Sequence, residues 1–274
     1  SRQVAAIDRV VALAPDSRFA GIARSYDALV KSDFAAADRL LSASLDAPSS
    51  LGLQTQLRYG QFLGVVGRLA ESLEVLKGVH AADPLNNFSH MQLVSAYTSV
   101  GEFQQADAEL DAILRQPGGD TPLARGQTLA LAMQRGDRAA VVAELDVDRS
   151  PTDPVGLVLV QHRDNLEAAM PQLAAMLEDD QFNENPYALT RIASWAGFLG
   201  FPDVALAALK RLPALGLSVE TWARFLWGAT LAEARQTPAF KDFVRELGLV
   251  DYWRSTGNWG DYCKPVGTDD FECR

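Results

Sequence analysis

Cysteine is almost missing from this chain. Its 274 residues hold two, Cys263 and Cys273, both within the last dozen positions. A multi-disulfide scaffold and a cysteine-rich zinc module are thereby excluded. Histidine is scarce as well. His80, His90 and His162 are scattered, with no H-E-x-x-H and no cysteine nearby in sequence, so they read as ordinary helix and loop residues and no metal site is expected. Positive charge runs short too: Lys plus Arg is 25 against 35 for Asp plus Glu, a net charge of −10. There is no basic run to meet a phosphate backbone and no polybasic patch for a membrane surface, so direct nucleic-acid binding is not expected. The longest stretch without Asp, Glu, Lys or Arg, Pro84 to Gly101, carries Asn86, Asn87, Ser89, His90, Gln92, Ser95, Thr98 and Ser99, which excludes it as a membrane span. No G-x-S-x-G, G-x-G-x-x-G or Walker-type loop occurs, and the acidic segments "LDVDRSPTD" and "LEDDQFNEN" lack the central glycine of a calcium-binding hand loop. No reaction is written in these residues, and neither a cofactor nor an enzymatic activity is expected.

What is present is helical. Hydrophobic residues make up 48% and charged residues 22%, aromatics only 8%; Ala and Leu dominate, and runs of Val, Ile and Thr are rare. The apolar pattern also repeats. Gly67 and Gly101, Leu69 and Phe103, Leu76 and Leu110, Val79 and Ile113 each stand 34 residues apart, with Pro84 and Pro117 close to the same spacing. Phe34, Ala37, Leu41 and Pro48 mirror Phe103, Ala106, Leu110 and Pro117, and Gly200, Ala205 and Leu209 follow the spacing of Gly101, Ala106 and Leu110. Each unit reads as two helices joined at a Gly or Asp, with a small residue near the start of the second helix and Pro behind it. Neither helix can cover its apolar face alone, so neighbouring units must stack. Gly60, Gly64 and Gly67 are read as close helix packing. Around 150 to 185 the pattern nearly fails, with Pro171 early in a second helix, and an irregular pair is expected there.

This landmark order resembles the tetratricopeptide repeat family. Counted from Asn87, the family's positions are taken by His90, Leu93, Val94, Tyr97, Ala106 and Gly118, with Pro117 next door; counted from Leu53, by Gln56, Tyr59, Gly60, Leu63, Ser72 and Pro84. The resemblance implies an all-α, right-handed superhelical solenoid of antiparallel helix pairs over residues 1–250, closed by an irregular tail, 251–274, packed on the last helices. It also implies a concave groove lined by the first helices, here Gln54, Leu57, Gln61, Phe88, Met91, Ser95, Thr98, Tyr187, Thr190, Ser194 and Phe198. A protein or peptide partner is the expected ligand, in a site centred on Phe88, Met91, Tyr187 and Phe198. The Lys and Asn set with which chaperone-binding members hold a terminal carboxylate is not matched.

The ending is similar to that of a group of bacterial modular regulators, in which a winged-helix or nucleotide cyclase domain precedes a long tetratricopeptide-like region. The residues carrying that likeness are Pro238, Phe240, Gly248, Leu249, Tyr252, Trp253, Trp259, Cys263 and Cys273. The resemblance implies a sensing or interaction module of a larger regulator, and the start at Ser1 is read as a processed chain or an excised piece. For the two cysteines, a metal site lacks further ligands in the tail, and a nucleophile lacks a base among acidic neighbours that would raise a thiol pKa. Pro265 and Gly267 can turn the chain between them, so a disulfide is the expectation, and with it an oxidising compartment such as the periplasm. Two free thiols in a cytoplasmic protein are the alternative.

Overall fold

The computed structural model describes residues 9–15, 17–43, 45, 50–147, 153–215 and 219–274. Its first helices pair in sequence order: α1 (Arg18–Val30) with α2 (Phe34–Ser42), α3 (Ser50–Val65) with α4 (Leu69–Ala82), α5 (Asn87–Val100) with α6 (Phe103–Leu114), and α7 (Pro122–Arg135) with α8 (Arg138–Val147). The helix starts follow local chemistry. Ser17, Asp33, Asn86 and Thr121 each accept a hydrogen bond from a first-turn amide. Gly101 and Gly136 end α5 and α7 in the left-handed region that glycine enters freely. The small residues expected at the helix contacts are there: Ala37, Ala106 and Ala205 are fully buried. Gly60 lets α4 come close, since a Cβ there would lie 2.9 Å from Leu76.

The irregular pair also falls where it was expected. α9 (Pro154–Gln161) is only 8 residues long and leads into a 3-10 turn, Leu166–Ala169, before α10 (Met170–Met176) and the single turn α11 (Asp180–Asn183). The stack then resumes with α12 (Pro186–Phe198) and α13 (Pro202–Arg211). After α13 come four 3-10 turns, Pro213–Leu215, Val219–Thr221, Ala223–Trp227 and Ala229–Leu231, and the helices α14 (Ala232–Arg235), α15 (Pro238–Glu246) and α16 (Leu249–Thr256). The fold is all-α, as the tetratricopeptide resemblance implies.

The tail corrects one expectation. It is not irregular: α16 is a helix, and β1 (Cys263–Val266) pairs antiparallel with β2 (Asp270–Cys273). Cys263 stands opposite Cys273 in this register and the two form a disulfide, S–S 2.06 Å. Nor does the tail rest on the last helices alone. Asp270 binds Lys241 and Arg245 of α15, while the main chain of Asp261 donates to the carbonyl of Gly67 (2.9 Å) and its carboxylate accepts from Ala70 N–H (2.9 Å). Arg68, the residue before α4, provides no side-chain cap, so Asp261 caps that helix from 191 residues away. α16 packs on α2, where Tyr252 donates to Asp38 (2.8 Å) and Arg68 donates to both. Arg235 ties the segment before it to the tail, donating to the main-chain oxygens of Leu226, Gly228 and Arg274 with its guanidinium 4.3 Å from the Tyr262 ring centre. Burial pushes this guanidinium down to about 10, so it stays charged at neutral pH.

Candidate functional site

In stacked antiparallel pairs the first helices run the same way and turn one common face inward. That face is occupied. The 3-10 segment Val219–Leu231 meets α1 and α3 with its first turns and α7 and α12 with its last. Trp222, Leu226, Trp227 and Leu231 are buried there. Trp222 stacks on Phe243 of α15, and Trp227 donates its indole N–H to the carbonyl of Val65 (2.9 Å) at the end of α3. The chain therefore fills its own groove.

A small cleft is left between this segment and helices α3 to α5. It is lined by Gln61, Gly64, Gln92, Ser95, Ser99 and Arg224, among others, and its volume is about 40 Å³. That is room for a few waters or one carboxylate, not for a peptide. Arg224 reaches the side-chain oxygen of Gln92 at 3.5 Å and makes no ion pair among the described residues; burial holds its guanidinium below the usual range. The cleft can thus offer a cationic donor and hydroxyl and amide groups to a small anion or to water.

The residues assigned to the groove do not share one environment. Gln61 and Ser95 do line this cleft. Leu57 and Met91 do not face any groove: Leu57 is buried against Leu73, Leu76, Val79 and Leu93, and Met91 against Val94, Ala106, Leu110 and Ala124. Thr98 and Ser194 are part-buried and spend their hydroxyls on the carbonyls of Val94 and Thr190 in their own helices, while Thr190 does the same with Pro186. Phe198 is part-buried edge-on to Trp195, and Gln54 is exposed. Of the four residues on which a site is expected to centre, Met91 is buried, Phe198 is part-buried and Phe88 and Tyr187 are exposed. Arg224 and Trp227 escaped the sequence reading because they lie in a segment with no repeat register.

Phe88 and Tyr187 are 50% and 56% exposed. Each is the second residue of a first helix, and Leu123 of α7 holds the same place at 62%. Because α5 and α7 are in contact and run in parallel, Phe88 and Leu123 lie at the same end of neighbouring helices, and Leu85, in the turn before α5, is 86% exposed.

No family model and no curated protein matches this chain. Among solved structures it is similar to a tetratricopeptide repeat protein from Parabacteroides merdae, with 16% identity over 86% of this chain and 87% of that one, at a TM-score of 0.46.

Proposed function

We propose that this chain is a non-catalytic protein- or peptide-binding, sensing module of a larger bacterial regulatory protein, and that it meets its partner along the edge formed by the starts of its first helices. The observation that carries the reading is the row Leu85, Phe88 and Leu123, with Tyr187 in the equivalent place on α12. Large apolar side chains at corresponding positions of separate units, left in water, mark an interaction surface. The alternative, a stand-alone adaptor taking a peptide in its concave groove, has less support, since Val219–Leu231 covers that face.

A photo-reactive amino acid placed at position 88 or 123 tests this in the source cells. Discrete protein adducts at both positions, and none at the exposed Lys210 of α13, are the expected result. Adducts absent from both, or equally frequent at position 210, would overturn the proposal. Recovery of the host protein as the amino-terminal part of the same polypeptide would identify the regulator directly.

A further inference from the structure

The fold gathers two histidines that stand ten residues apart in sequence and one glutamate. His80 lies in the last turn of α4, His90 in the first turns of α5, and Glu109 on α6. One ligand atom from each lies within 4.8 Å of the other two. The rings of His80 and His90 are 4.1 Å apart at 68°. No sequence signature marks the set, because its members come from three helices and two repeat units.

The hydrogen bonds around His90 carry the argument. Its Nε2 sits 2.8 Å from the carbonyl of Pro84, which can only accept, so Nε2 holds a proton. Its Nδ1 then faces Glu109 Oε2 at 2.9 Å. In a neutral imidazole that nitrogen is a lone pair, and two acceptors would meet head-on at hydrogen-bond distance. A cation has to lie between them, either a second proton or a metal ion. His80 distinguishes the two. A proton between His90 and Glu109 leaves His80 without a role: its Nε2 stands 3.9 Å from the same Glu109 oxygen, beyond hydrogen-bond reach. A metal uses both rings.

We propose that His80, His90 and Glu109 bind a divalent transition ion of the zinc type. Bonds of about 2.0–2.2 Å in tetrahedral array set neighbouring ligand atoms about 3.4 Å apart. The two distances to Glu109 Oε2, 2.9 and 3.9 Å, straddle that value, so small side-chain adjustments complete the triangle. The Pro84 carbonyl on His90 Nε2 is the outer contact that a metal-bound histidine ordinarily has. Two imidazoles and one carboxylate select zinc, copper, nickel or cobalt over magnesium and calcium, which want an all-oxygen set. The side chains of His80 and Glu109 are 20% and 22% exposed, so an ion can enter from solvent and a water can complete the coordination. The ion would clamp α4, α5 and α6 across a repeat boundary.

The test uses the tag-free, disulfide-intact chain, stripped with a chelator. Cobalt(II) is titrated as the spectroscopic probe and zinc is then added in competition. The expected result is one equivalent per chain with the visible bands of a four-coordinate ion, displaced by zinc, and a raised melting temperature with zinc but not with magnesium. His80→Asn and Glu109→Gln should each weaken binding by more than about tenfold, while His162→Asn changes nothing. If either variant melts unlike the parent without metal, zinc-dependent shifts of the His80 and His90 ring resonances in the parent decide instead. Absence of saturable cobalt and zinc binding in the parent, binding unchanged in both variants, or ring resonances unmoved by zinc would each overturn the proposal and leave His90 and Glu109 as a proton-bridged pair.

Discussion

The indole N–H of Trp253 donates to the carbonyl of Val66 at 2.9 Å, across 187 residues, beside the equivalent bond from Trp227 to Val65. These are two of the carbonyls that a helix end leaves without partners, here at the end of α3. The tail segment and the groove-filling segment thus close the same helix terminus, and Trp227 and Trp253 touch each other with ring centres 6.0 Å apart. Trp253→Phe keeps most of the apolar contact but leaves the Val66 oxygen buried and unpaired. It should cost about 1–3 kcal/mol, read as a lowered urea midpoint with an unchanged slope.

Gly67, in the turn just after α3, has φ 85°, and a Cβ there would stand 3.2 Å from the Trp227 ring; Gly101 has φ 81° and nothing within 4 Å. Both alanine variants bear the left-handed strain, about 1–2 kcal/mol. Gly67→Ala should therefore be the more destabilising of the two, because only there must a tryptophan move. Equal losses in thermal melts would contradict the close approach.

The Tyr252 hydroxyl is held well above the usual phenol range, by burial first, with Arg68 opposing and Asp38 reinforcing the shift. A phenol whose folded pKa is raised contributes stability that is complete below the unfolded value of about 10 and is lost as pH rises beyond it. Melting temperature should fall from about pH 10 upward. Tyr252→Phe should flatten that slope while lowering stability at neutral pH, since Asp38 and Arg68 lose their shared partner. A parent whose alkaline profile matches that of the Phe variant would show that this hydroxyl titrates normally.

Reduction of Cys263–Cys273 should loosen the hairpin without detaching the tail or unfolding the stack, as Phe271 and Trp253 remain packed together at 5.8 Å. The cross-link closes a short loop, worth about 2–3 kcal/mol on the chain-entropy view. Intact mass of protein purified without reductant should gain two hydrogens on reduction, and the reduced form should melt lower. A mass already at the dithiol value would remove the disulfide.

Leu110 is 4% exposed in a cluster with Met91, Val94, Ala106 and Ile113 of its own unit and Ala124 and Leu131 of the next. Leu110→Asp puts a charge into this apolar cluster, at a cost of several kcal/mol. A variant that melts like its parent would mean the 34-residue register has been misplaced.

Much of the stack was legible because its causes are local. Asn86 caps α5 and Gly101 ends it through atoms a few residues away, and Leu76 and Leu110 fall on buried faces because helical periodicity puts them there. The failure of that periodicity near Pro171 forecast the short α9 and α10 for the same reason. The site was far less legible. Leu57 and Met91 hold groove positions by count, yet both are buried between helices, since a position number says nothing about how closely the next helix approaches. His80 and His90 look scattered in the sequence because their meeting depends on two helices and a turn whose path the spacing does not encode.

By itself the sequence determined the helices, their pairing and the turn that brings Cys263 to Cys273, all interactions between residues near in the chain, whose closure costs little entropy. Only the tertiary structure decided that Val219–Leu231 lies in the groove, that Asp261 caps α4 and that Tyr252 meets Asp38. Such contacts join a donor to an acceptor across much of the chain. Nothing in a tryptophan or an aspartate names its distant partner: the superhelical path brings them together, and the need to pair every buried polar group then selects which ones bond.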